Sequence, residues 1–178
     1  MNARSDAAVE IPAEDQTFDF ETSFRAHFER IARVIARVVQ DPARAEELAV
    51  EVFIKLWRNP RAQGDKSEGW LYRAAVRKGL DELRLRTRRA RYEGLFRAVL
   101  RAPTPEEVYL ASGEQQRVRQ VLAALDSRKS ELLVLRSDGL NYQELAAALD
   151  LNPASVGTLL SRAQQAFRKE YIQRYGPK

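Results

Sequence analysis

Between Asp138 and Arg168 one helical face carries Ser155, Thr158, Ser161 and Arg162. Their chemistry is hydrogen bonding. Hydroxyls donate to phosphate oxygens or base edges, and the Arg162 guanidinium can bridge two acceptors of a guanine. Gly157 and Gln165 lie on the same face, while Val156, Leu159, Leu160, Ala163 and Phe167 point the other way. Asn152-Pro153 supplies an N-cap and a first-turn proline, where the missing N–H is no loss. The stretch before it, Tyr142 to Leu149, sets Leu145, Ala146 and Leu149 on one side of a shorter helix, and Asp150-Leu151 makes the turn. Two helices so joined have the pattern of a helix-turn-helix, whose second helix enters the DNA major groove. An ordinary helical hairpin inside a bundle shares that pattern, so the remainder of the chain must decide.

Catalysis finds no support. The 178 residues contain no cysteine, a single histidine (His27) and no glycine-rich phosphate loop. Thiolate and histidine metal sites are thereby excluded, and no cofactor or metal is expected. Adjacent carboxylates such as Glu46-Glu47 and Asp81-Glu82 diverge on a helix and read as solvated surface. No apolar run approaches the length of a membrane span and the N-terminus lacks a signal-peptide pattern, so a cytoplasmic protein without membrane insertion is expected.

The net charge of +5 is unevenly spread. Residues 1–21 carry Asp6, Glu10, Glu14, Asp15, Asp19 and Glu21 against Arg4, whereas residues 71–101 hold ten bases against three acids. Such asymmetry points to a polyanion partner for the middle of the chain, against the alternative of a solvated arginine-rich helix face.

The elements that must position these groups are helices. Residues 1–17 read as a disordered acidic tail. Phe20, Phe24, Phe28, Ile31, Ile35 and Val38 form one helical stripe. Asp41-Pro42 ends that helix and caps a second, which buries Ala45, Leu48, Ala49, Val52, Phe53 and Leu56 before Asn59-Pro60 stops it. A polar loop, 61–69, precedes a third helix expected from Ser67 to Arg91. Residues 93–113 read as a linker interrupted by Pro103 and Pro105, with a further helix beginning near Glu106. Four helices then fill 114–178. The expected fold is all-α: an N-terminal helical domain over 18–92 and a C-terminal helix-turn-helix domain over 114–178, joined by that linker.

Three strings, in order, carry a family likeness. Ala45-Glu-Glu-Leu-Ala-Val-Glu-Val-Phe53 followed by Leu56-Trp57 resembles the polymerase-binding helix of bacterial sigma factors. Gly64-Asp65 followed by Trp70-Leu-Tyr-Arg-Ala-Ala75 is similar to that family's promoter-melting segment. Gly139-Leu-Asn-Tyr-Gln-Glu-Leu-Ala146, closed by Ser161-Arg162-Ala163, resembles its last domain. With no third domain between them, the strings resemble the two-domain, extracytoplasmic-function group. The resemblance implies a transcription initiation factor that binds core RNA polymerase and promoter DNA, and it allows an anti-sigma partner. It implies polymerase contacts by Glu47, Val50, Glu51 and Arg58. It implies −10 DNA contacts by Arg61, Arg73, Arg77, Lys78 and Arg84, and −35 contacts by Ser155, Thr158, Ser161 and Arg162.

The chain departs from the family pattern at identifiable places. Val50 replaces a glutamine, Arg77 an asparagine, Gly157 a commonly basic residue and Asp150 the turn glycine, while Arg61 stands nearest a usual phenylalanine. Two other readings therefore stay open at the level of sequence: a stand-alone helix-turn-helix regulator, and a sigma-like interaction module without DNA binding.

Overall fold

The computed structural model describes residues 18–100 and 113–176, of which the side chains of 93–100 are left aside. Among these residues all regular structure is helical. Each start has a local cause. Asp19 accepts the Thr22 N–H at 3.0 Å and opens α1 (Phe20–Val39). Gln40 then turns left-handed at φ 52° and returns its N–H to the Ala36 carbonyl. Asp41 accepts from the Arg44 N–H and Pro42 takes the first turn of α2 (Pro42–Trp57). Four aromatic rings lock this pair. Phe53 of α2 meets Phe24 edge-on at 4.9 Å and Phe20 at 6.2 Å, and Phe24 stacks on Phe28 at 4.7 Å.

A short 3-10 turn, Pro60–Ala62, leads into α3 (Ser67–Leu100), which packs across both α1 and α2. Leu71, Tyr72, Ala75, Val76, Leu80 and Leu83 are its buried face. The sequence reading ended this helix near Arg91. It continues to Leu100 because no residue before Pro103 forbids it, and Gly94 inside a helix costs only about 1 kcal/mol. The expected tail of 1–17 and the expected helix near Glu106 lie outside the described residues.

The second bundle starts with α4 (Glu114–Ala124). Asp126 caps α5 (Ser127–Ser137), accepting from the Arg128 and Lys129 N–H groups. Asn141 and Glu144 form a reciprocal capping box on α6 (Tyr142–Leu149). Asp150 adopts the left-handed turn conformation at φ 54°, which aspartate tolerates better than most residues. Asn152 caps α7 (Pro153–Tyr175). Leu132, Leu135, Leu145, Leu149, Val156 and Leu160 fill the bundle, and their cluster runs without a break into that of α1–α3. Helices α4, α5 and α6 all lie against α3. Gly69 makes the closest approach possible: a Cβ there would stand 3.3 Å from the Ala147 carbonyl oxygen and from the Ala148 Cα.

The Asp81-Glu82 pair corrects one expectation. Asp81 is exposed, but the Glu82 side chain is only 12% exposed and is held by Arg44 at 3.2 Å and Arg86 at 3.1 Å. Arg86 also reaches Asp41 at 3.1 Å, tying the start of α2 to α3. The two carboxylates are solvated unequally because only Glu82 faces the α2–α3 seam. The Arg44 hydrogen bond, then that of Arg86, holds the Glu82 carboxyl below the usual range, and Asp41 shifts the same way through the Arg44 backbone N–H and Arg86. A depressed carboxyl stabilises the fold above its unfolded pKa, roughly 4.3 for Glu. That contribution disappears as pH falls through the folded value. Denaturant titrations from pH 7 down to about pH 3 are expected to show E82Q less stable than the parent at neutrality and converging on it in acid.

Candidate nucleic-acid interface

Helix α7 presents Ser155, Thr158, Ser161 and Arg162 exposed on one face, while Val156, Leu160 and Ala163 are buried beneath. Asn152 and Pro153 fix the start of the helix and hence the rotation of that face. Gly157 is not open surface, as its place in the helical period suggests. The Tyr142 ring lies over it, and a Cβ on Gly157 would meet Tyr142 Cε2 at 3.5 Å. The Arg136 guanidinium stacks 5.6 Å from the same ring and donates to the Leu140 carbonyl at 2.8 Å. Tyr142 and Arg136, both exposed, therefore stand beside the reading face without having been expected there. Nothing local in the sequence signals it, since the contact bridges fifteen residues across the turn.

The basic surface of α3 is less free than its composition implies. Arg73 is half-buried and Arg61, in the preceding turn, is exposed; neither has an ion-pair partner among the described residues. The other three expected phosphate contacts are engaged inside the chain. Arg77 Nε donates to Glu131 Oε1 of α5 at 2.7 Å. Lys78 pairs with Glu51 of α2. Arg84 reaches Asp81 at 3.4 Å and the carbonyls of Ala123 and Leu125, at the end of α4, at 3.3 and 3.5 Å. Glu131 was not anticipated. It is 1% exposed, and its Oε2 is buried without a hydrogen bond. Its spacing from Leu132 and Leu135 places it in the apolar register of α5, and that is the signal the sequence carried.

The outer face of α2 has a different character. Val50, Ile54 and Trp57 recur at i, i+4 and i+7 with 41%, 41% and 63% of their surfaces exposed. Glu47, Glu51 and Arg58 are exposed around them, Glu47 bonded to Arg44 at 2.7 Å and Glu51 held by Lys78. Ile54 and Trp57 were missing from the expected contacts, although their spacing from Val50 puts them on the same stripe. A row of large apolar groups on a charged helix is the kind of surface that protein–protein contacts use. Between α2 and α3, a cleft of about 290 Å³ lined by Glu51, Lys55, Trp70, Arg73, Arg77 and Lys78 borders it.

Two family models match the two bundles. Sigma-70 region 2 covers residues 23–89, spanning α1, α2 and most of α3, and Sigma-70 region 4 covers residues 115–166, spanning α4 to the reading face of α7. The chain belongs to the extracytoplasmic-function sigma factors. Its relatives include the extracytoplasmic-function sigma factor SigE of Mycolicibacterium smegmatis, 30% identical over 85% of this chain. The chain spans 60% of that relative's length. SigK of Mycolicibacterium vanbaalenii is 28% identical over 95% of this chain and 90% of its own. Among solved structures, the sigma factor RpoE bound to the anti-sigma factor NepR, from Bartonella quintana, aligns at TM-score 0.48 with 18% identity over 85% of this chain and 96% of that one.

In this sigma factor the contact of Tyr142 over Gly157 has a measurable consequence. A methyl group at 157 would make ordinary van der Waals contact with the ring, and alanine is about 1 kcal/mol better than glycine within a helix. G157A is expected to raise stability by about 0.5–1 kcal/mol in urea denaturation, with Tyr142 undisturbed; a loss of stability would mean that the ring packs tighter than the distance indicates.

Proposed function

We propose that this sigma factor docks on core RNA polymerase through α2 and directs it to a promoter, gripping the −10 element with region 2 and the −35 element with region 4. The observation that carries the reading is the exposed stripe Val50, Ile54 and Trp57. A stand-alone DNA-binding regulator has no use for such a surface on the helix that resembles the polymerase-binding one. Glu47, Glu51 and Arg58 surround the stripe and supply polar contacts at its rim, where charges contribute orientation more than affinity.

The DNA-facing roles divide by chemistry. Arg61, Arg73, Arg77, Lys78 and Arg84 are the cations of region 2 and hold −10 phosphates. Thr158, Ser161 and Arg162 lie nearest the −35 base edges, with Ser155 on phosphate. Arg162 is the member of that set able to make a bidentate contact. No described helix is long and apolar enough to cross a membrane, and the work of such a factor lies in the cytoplasm, with polymerase and promoter DNA as partners. An anti-sigma partner is consistent with the group to which the chain belongs.

The test is reconstitution. Purified chain and core polymerase are incubated with a library of randomised promoter DNA, and transcripts are sequenced. Promoter-specific initiation that depends on the chain is expected; no binding to core and no initiation would overturn the reading. W57A is expected to weaken core binding by about thirtyfold or more, the size of an aromatic anchor of at least about 2 kcal/mol. R162A is expected to leave core binding intact and to relax selection at one −35 position by about 1–3 kcal/mol.

A further inference from the structure

We propose that two copies of this chain pair through the outer faces of α2, antiparallel about a two-fold axis, and that the pair covers the docking stripe while the protein is free of polymerase. The inference rests on the sigma-factor reading for what the covered face does, but not for the pairing itself.

The face is self-complementary in one orientation. Val50, Ile54 and Trp57 form its apolar centre. Its charges are sorted along the helix. Glu46, Glu47 and Glu51 lie toward the N-terminal end, and Lys55, Arg58 and Arg61 lie toward or just beyond the C-terminal end, all of them exposed. The patch is therefore neutral within a chain of net charge +5. Glu47 is bonded to Arg44 and Glu51 to Lys78, whereas Glu46, Lys55, Arg58 and Arg61 have no ion-pair partner among the described residues. Parallel pairing of two such helices would set acid on acid and base on base. Antiparallel pairing sets each acidic half against the basic half of the second copy, and a two-fold axis makes every such contact twice.

The helical period fixes the register. Glu47, Val50, Ile54 and Trp57 follow one another at steps of three, four and three residues, the spacing of the seam between two paired helices. With the axis between Val50 and Ile54, Val50 meets Ile54 of the second copy, and Arg58 stands beside its Glu47. Trp57 then lies along the first turns of the other α2, where Ala43 is small and exposed. The core is undisturbed, because Leu48, Val52, Phe53 and Leu56 face the other way and are buried. Three large side chains from each copy make a core smaller than that of a permanent dimer. The pairing is thus concentration-dependent, and it yields to a partner that covers the same stripe with a larger surface.

Sedimentation velocity of the full chain over a dilution series is the test. The average mass of the parent is expected to climb toward that of two chains as concentration rises. E47R and R58E each bring like charges together twice. Each is expected to weaken pairing about tenfold, the scale of two exposed ion pairs lost and reversed, with helicity unchanged by circular dichroism. Mixed in equal amounts, E47R and R58E are expected to pair as the parent does, since each supplies the charges that the other lacks. Misfolded variants could not recover in that way. A parent that stays monomeric at every concentration, charge variants that pair like the parent, or a mixture that stays monomeric would each overturn the proposal. Added core polymerase separates the two readings. If core fails to bind the chain, the sigma-factor role fails while the charge exchange still decides the pairing; if core binds a chain that never pairs, only the pairing fails.

Discussion

Each guanidinium N–H serves one acceptor at a time, and the architecture turns on where those of α3 are spent. The helix is the common wall of the molecule. Its apolar face completes the first bundle with α1 and α2, its glycine seat receives α6, and its basic residues meet α4 and α5. The same residues are the densest run of positive charge in the chain. A helix so placed cannot be neutral about domain arrangement: whatever satisfies Arg77 and Arg84 also decides how region 4 lies against region 2.

Apolar packing alone does not settle that arrangement. The cluster that joins the bundles is continuous, and at Gly69 the backbone of Ala147 and Ala148 sets the spacing. Interfaces between domains of one chain are commonly polar and separable. The rigid part lies deeper. The Phe20, Phe24, Phe28 and Phe53 cluster holds α1 to α2, and the Arg44, Glu82, Arg86 and Asp41 network pins α2 to α3. Region 2 therefore behaves as a fixed platform on which region 4 can seat.

Local rules made most of the skeleton legible. The caps at Asp41, Asp126 and Asn152 follow from residue type beside an apolar period, and Asp150 takes the left-handed turn expected of it. The all-helical fold and the family follow from period and string. What stayed hidden is non-local. Composition cannot say which arginine meets a carboxylate fifty-four residues away, as Arg77 meets Glu131. It cannot say that Glu82 is enclosed while Asp81 is solvated, or that Tyr142 covers Gly157. The end of α3 was missed for the opposite reason, because a run of arginines read as an ending when nothing in it breaks a helix.

The departures from the family pattern make physical sense once the neighbours are known. Val50 loses a hydrogen-bonding group but extends Ile54 and Trp57 into one apolar row, so docking proposed there would depend on desolvation and be weakly sensitive to salt. Gly157 loses a contact but admits the Tyr142 ring beside the reading face, with Arg136 stacked on it. The charge missing from that position of α7 is therefore not missing from the domain; Arg136 supplies it from the last turn of α5, stacked on Tyr142. On the proposed function, DNA attraction comes mainly from α3 and discrimination mainly from Arg162. With that division, the proposed reading has both domains on the same DNA before either is selective.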